Sequence, residues 1–106
     1  MLRQLRRAVI HHHTSGDNEF IAAVSGQAIQ VHGLVLTAAG AVTLTLQSDA
    51  GGGAVALTGP MTLATGVPLA LPLSDVPYVE TGAGKRLNGA LSAAVYVDGV
   101  IWYREG

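Results

Sequence analysis

The residues best equipped for chemistry are three consecutive histidines, His11, His12 and His13. In an extended chain His11 and His13 share a face and could hold one metal ion. A zinc site draws three or four ligands, and no cysteine or acid lies close in sequence to complete one. No metal site is therefore expected. His32 stands alone in an apolar run and reads as a packing residue rather than a catalyst. Ser15, Ser25, Ser48, Ser74 and Ser92 lack the Gly-x-Ser-x-Gly turn that exposes a nucleophile. Asp17, Asp49, Asp75 and Asp98 sit among Gly, Ser and Asn, where turn chemistry explains them. Gly51–Gly53 lacks the Lys-Ser/Thr ending of a phosphate loop, and in Gly82-Ala-Gly-Lys85 the next residue is Arg86. The expectation is a protein that is not an enzyme and takes no cofactor.

The elements that must carry these residues follow from composition. The chain has 106 residues, 49% apolar and 12% charged, which excludes a disordered polymer and fits one domain. Ala, Val and Leu dominate the apolar set, with 14 Gly between them, which favours strands and turns over helices. There is no cysteine, and hence no disulfide. No apolar run reaches the roughly 18–20 residues of a membrane helix, and the N-terminus lacks the apolar core of a secretion signal. Charge is uneven. Arg3, Arg6 and Arg7 make residues 1–16 basic at +3, whereas the rest sets Lys85, Arg86 and Arg104 against seven acids, a net −4. A basic arm on an acidic body can attach to an acidic surface. The acidic body argues against nucleic-acid binding, which needs a basic face with interleaved aromatics.

Read along the chain, residues 1–13 form an arm and residues 14–106 a β domain. Strands are expected at Phe20–Val24, Ala28–Ala38, Ala41–Ser48, Val55–Leu57, Met61–Leu63, Leu69–Leu71 and Tyr78–Glu80, followed by a region Arg86–Val97 broken near Ala93. Asp98-Gly99 predicts a type I′ hairpin turn, with Val97 facing Val100 and Val95 facing Trp102. About eight short strands at this spacing predict an all-β fold, an antiparallel β-sandwich or barrel. Ala39-Gly40 predicts a second hairpin, with Val35 facing Leu44. Its second strand alternates: Val42, Leu44 and Leu46 against Thr43 and Thr45. Its first strand does not alternate. Ile29, Val31 and Val35 lie on one face, and His32, Leu34 and Leu36 on the other. A strand with two apolar faces needs two burial partners. The expectation is that His32, Leu34 and Leu36 form an oligomer interface.

The order of motifs resembles a group of small virion-associated proteins of tailed bacteriophages and their prophage relatives. The segments that carry the resemblance are Thr14-Ser-Gly-Asp-Asn18, Ile21-Ala-Ala-Val-Ser-Gly26, Ile29–Ala39, Gly59-Pro-Met-Thr-Leu-Ala64 and Leu69-Ala-Leu-Pro72. Glu80-Thr-Gly-Ala-Gly84 with Leu87-Asn88, and Leu91-Ser-Ala-Ala-Val95 with Gly99–Tyr103, complete it. These span about residues 14–105 and are turns and core strands. The resemblance implies a jelly-roll-like β-sandwich that trimerises and decorates or cements capsids, or sits in virion fibres. The implied partner is the major capsid protein, the implied location the capsid surface, and the arm arginines Arg3, Arg6 and Arg7 would meet capsid acids. The alternative is a head-fibre or tail-associated module recognising host-surface glycans. The chain departs from the pattern in its longer glycine loop at Asp49–Ala54 and at Lys85-Arg86.

Overall fold

A computed structural model describes residues 4–49 and 53–106. Arg3 and most of the glycine loop lie outside the described residues. Ten strands make up the described chain: β1 (Arg6–His12), β2 (Gly16–Ile21), β3 (Ile29–Ala38), β4 (Val42–Asp49), β5 (Ala54–Ala56), β6 (Met61–Leu63), β7 (Leu69–Leu71), β8 (Val79–Glu80), β9 (Arg86–Leu91) and β10 (Val97–Glu105). They form two five-stranded antiparallel sheets. Sheet A runs β1-β10-β3-β7, with β8 also on β3. Sheet B runs β2-β9-β4-β5, with β6 also on β4. The chain is an all-β, two-sheet sandwich.

The core lies between the sheets. Sheet A contributes Ile10, Ile29, Val31, Leu34, Leu36, Val97 and Ile101, and sheet B contributes Leu44, Leu46, Leu63, Leu87 and Leu91, all buried. The alternation of β4 selects its inward side: Val42, Leu44 and Leu46 are buried while Thr43, Thr45 and Gln47 are half-exposed.

Three expectations are corrected. The hairpin at Ala39-Gly40 does not form, because β3 and β4 belong to different sheets. The Ala39 N–H instead donates to the Tyr96 carbonyl at 2.9 Å, and the chain crosses from one sheet to the other. Leu44 pairs with Leu91 and Met61, not Val35. Asp98-Gly99 is no turn either. Both residues lie inside the long strand β10, and the chain passes from sheet B to sheet A earlier, between Leu91 and Val97. Gly99 is there for close approach: a Cβ on it would overlap the Val35 carbonyl oxygen of the adjacent strand. The third concerns the arm. Residues 6–12 are strand β1, paired at all seven positions with β10, and Ile10 is only 1% exposed. This stretch is built into the sandwich.

The unusual pattern of β3 has a local cause. Its pairing with β10 shifts register where Trp102 faces Gly33 and Tyr103 faces Val31, so His32 is an extra residue. Such a bulge inverts the alternation that follows. Ile29 and Val31 face the core before it, and Leu34, Leu36 and Ala38 after it. One core thus buries both apolar sets. His32 finds partners outside the ladder. Its carbonyl accepts from the Ser74 N–H at 2.8 Å. Its Nδ1–H donates to the Ser74 carbonyl at 2.8 Å, an acceptor that requires the proton on that nitrogen.

Candidate functional site

The bulge that turns Leu34 and Leu36 inward turns Val35 outward. The outer face of sheet A then follows from register. One row runs Val9, Val100, Val35, Ala70 across β1, β10, β3 and β7. The next runs Arg7, Trp102, Gly33. A third runs His11, Asp98, Thr37. Val9 is 73% exposed, and Val35, Val100 and Trp102 are half-buried.

The segment after β7 gives this face relief. It passes over Gly33 so closely that a Cβ there would meet the Leu73 Cα at 3.2 Å and the Leu71 carbonyl oxygen at 3.3 Å. Glycine is the residue that admits this crossing. Tyr78 ties the segment down, its hydroxyl donating to the Pro72 carbonyl at 2.6 Å and its N–H to the Val31 carbonyl at 2.8 Å. Between the segment and the sheet opens a groove of about 500 Å³, lined by Val35, Ala70, Leu71, Pro72, Leu73 and Trp102 with Leu34 at its floor. Leu73 is 62% exposed on its rim, and Val76 of the same segment is 73% exposed. A contiguous apolar face of this kind is a candidate binding surface. Sequence reasoning missed it because the bulge at His32 decides which residues face outward.

Arg7 stands on this face beside Trp102 and has no ion-pair partner among the described residues. Arg6 points to the other side and pairs with Glu105 at 3.1 Å. Arg3 lies outside the described residues.

The expected oligomer interface is a correction. His32, Leu34 and Leu36 are 2%, 1% and 0% exposed within a single chain. The sandwich core takes Leu34 and Leu36, and the Ser74 backbone takes His32, with the Arg104 guanidinium 3.3 Å from the same ring nitrogen. None is left for a second copy to cover.

The histidine run is spent on packing. His11 donates Nδ1–H to the Asp98 carboxylate and stacks on Tyr96 with ring centres 5.2 Å apart. His13 tilts against the same ring at 4.6 Å. His12 points to the opposite side and stacks on Phe20 at 5.1 Å, bridging β1 to β2. Burial first, then the charges of His11 and His13, lowers the His12 pKa below its usual 6.5. Among the described residues no three His, Cys, Asp or Glu come together as a metal site.

Several acids and hydroxyls are likewise engaged. The Asp49 carboxylate accepts from Arg86 at 3.0 Å and from Asn88 at 2.8 Å. Ser48 and Ser92 hydroxyls accept from the backbone N–H groups of Gly82 and Thr43. Ser74 Oγ accepts from the Val76 N–H, holding the turn beside the groove. The arrangement can bind an apolar surface, with Arg7 adding a charged contact. No family model matches the chain, and comparison with curated proteins and with solved structures finds no match.

Proposed function

We propose that this chain is a non-enzymatic structural protein of a tailed-phage virion. Its role would be capsid decoration: attachment to the outer surface of the major capsid protein shell, which it stabilises. Two things support the reading. One is the run of motifs over residues 14–105. The other, which carries it, is the outer face of sheet A, with Val9, Val35, Val100 and Trp102 beside Arg7. A face with an apolar centre and an arginine at its margin suits a protein surface that offers acids around an apolar patch. Repeated over many copies on a shell, modest single contacts become durable attachment.

The test is sedimentation with purified capsids of the phage that carries the protein. Removing residues 1–13 is the wrong perturbation, because it deletes β1 and the buried Ile10. Val35→Asp and Arg7→Glu both change outward-facing side chains and should keep the native circular dichroism. Each should weaken capsid binding at least tenfold. Undiminished binding by both variants, or no binding by the native protein, would overturn the assignment.

A second reading is favoured by one observation. Trp102, the single tryptophan of the chain, lines the groove and does not sit in the core. An aromatic ring in an open groove can stack on a sugar, as a fibre or tail module recognising host glycans would require. Oligosaccharides from the host surface should then quench Trp102 fluorescence, whereas capsid attachment predicts no response to sugars.

A further inference from the structure

We propose that two copies of this protein associate edge to edge through β1, joining their first sheets into one continuous sheet. The inference rests on edges and holds whatever the copies attach to.

Free sheet edges are templates for another strand, and folded proteins guard them with short strands, bulges or charges. Most edges here are guarded. Strands β5, β6 and β7 have three residues each and β8 has two. The edge strand β2 carries exposed Asp17 and Glu19 and an irregular register between Glu19 and Ile21. β1 differs. It is seven residues long, contains no proline and keeps an unbroken register with β10. At its centre Val9 is 73% exposed. Among the described strands it is the one long edge without a guard at its middle.

A second copy of β1 fits this edge. Antiparallel pairing about a two-fold axis at Val9 sets Val9 against Val9, Ala8 against Ile10, Arg7 against His11 and Arg6 against His12. All seven residues are used, and each stays on its own face of the sheet. On the outer face the row Val35, Val100, Val9 then continues into Val9, Val100 and Val35 of the second copy. That makes an apolar stripe six strands wide, about 24 Å at the usual strand spacing.

Charges fit the same register. Arg7 of each copy lands opposite His11 of the other, whose Nδ1–H is given to Asp98. The Asp98 carboxylate held by His11 supplies the charge opposite to the incoming guanidinium. The two-fold axis produces this contact twice. The state is a dimer, in place of the trimer that the resemblance implies.

The chain contains no cysteine, so Val9→Cys introduces a single thiol. Opposed residues of an antiparallel pair lie within disulfide reach. Under mild oxidation Val9→Cys should form a covalent dimer in high yield, whereas Val55→Cys, 57% exposed on β5, should not. Native mass spectrometry should give twice the 10.8 kDa chain mass for the native protein. Val9→Lys, which sets two like charges on the axis, should raise the dimer dissociation constant at least tenfold with unchanged circular dichroism. A native protein that is monomeric or trimeric throughout, or a Val9→Cys protein that cross-links no better than Val55→Cys, would overturn the proposal.

Discussion

Truncating two neighbouring residues of β3 separates the burial argument from its rival. Leu34 is 1% exposed and packs between Ile101 on β10 and Leu71 on β7. Val35, the next residue, faces the groove. Leu34→Ala removes buried carbon worth about 2 kcal/mol in transfer energy and leaves a cavity between two sheets that cannot close on it. Leucine truncations at such sites cost about 3 kcal/mol, within a range of roughly 2–5. A domain of this size has about 5–15 kcal/mol of total stability, so the loss is a large fraction. With a urea slope of about 2 kcal/mol/M the unfolding midpoint should fall by about 1.5 M. Val35→Ala leaves the core intact and should cost under about 1 kcal/mol. Urea titrations of both variants by circular dichroism, with native mass measured beside them, make the comparison. The reasoning fails if the two losses are equal or reversed. It fails too if Leu34→Ala keeps its stability and changes only the oligomeric mass, which would restore Leu34 to an interface.

His12 should make the fold acid-sensitive. Its pKa is lowered in the folded state, so the unfolded chain binds the proton more readily. Its contribution is fully present above the unfolded value of about 6.5 and is lost as the pH falls through that value toward the lower folded one. Stability measured from pH 8 to 5 should fall more steeply for the native protein than for His12→Phe, which keeps a ring on Phe20 without the titration. Asp49→Ala strips a carboxylate only 5% exposed from Arg86 and Asn88, and leaves Asn88, 1% exposed, without that acceptor. Because Arg86 is about a third exposed, the cost should be about 2 kcal/mol rather than that of a fully buried pair, readable as a shift in thermal midpoint. Gly99→Ala should cost more than about 4 kcal/mol, since the added Cβ overlaps the Val35 carbonyl and backbone cannot swing aside as a side chain does. A soluble Gly99→Ala protein with native melting would contradict the close approach of β10 and β3.

How far the sequence reads depends on which interactions are local. β6 and β7 are found at the residues that their turn-bounded apolar triplets indicate, Met61–Leu63 and Leu69–Leu71. β3 and β4 lie within a residue or so of expectation, because burial of one face imposes alternation. Partners are another matter. Asp98-Gly99 has the composition of a hairpin turn, yet β1 and β3 flank it on both sides and hold it extended. The dipeptide preference is worth little beside two ladders of hydrogen bonds. Residues 6–12 look like an arm because their charges and histidines are local features. Their placement beside β10 depends on residues more than eighty positions away.

The apolar outer face of sheet A was legible only in part. Val9, Val35, Val100 and Trp102 are visible as residues, but nothing local says that they share a face. That depends on one extra residue at His32. The bulge is held by Ser74, forty-two positions on, whose backbone meets the His32 Nδ1 and carbonyl.

Composition and periodicity alone determined the all-β class and most strand positions, because these follow from which side chains avoid water and how often they recur. Strand order, the sheet to which each strand belongs and the outward face of β3 were decided by tertiary structure. Pairing over long separations, and a single bulge that reverses alternation, leave no signature in neighbouring residues. Leu34 and Leu36 therefore pass from a surplus that asks for a second chain to ordinary core, and the apolar residues on the outer face of sheet A are Val9, Val35 and Trp102.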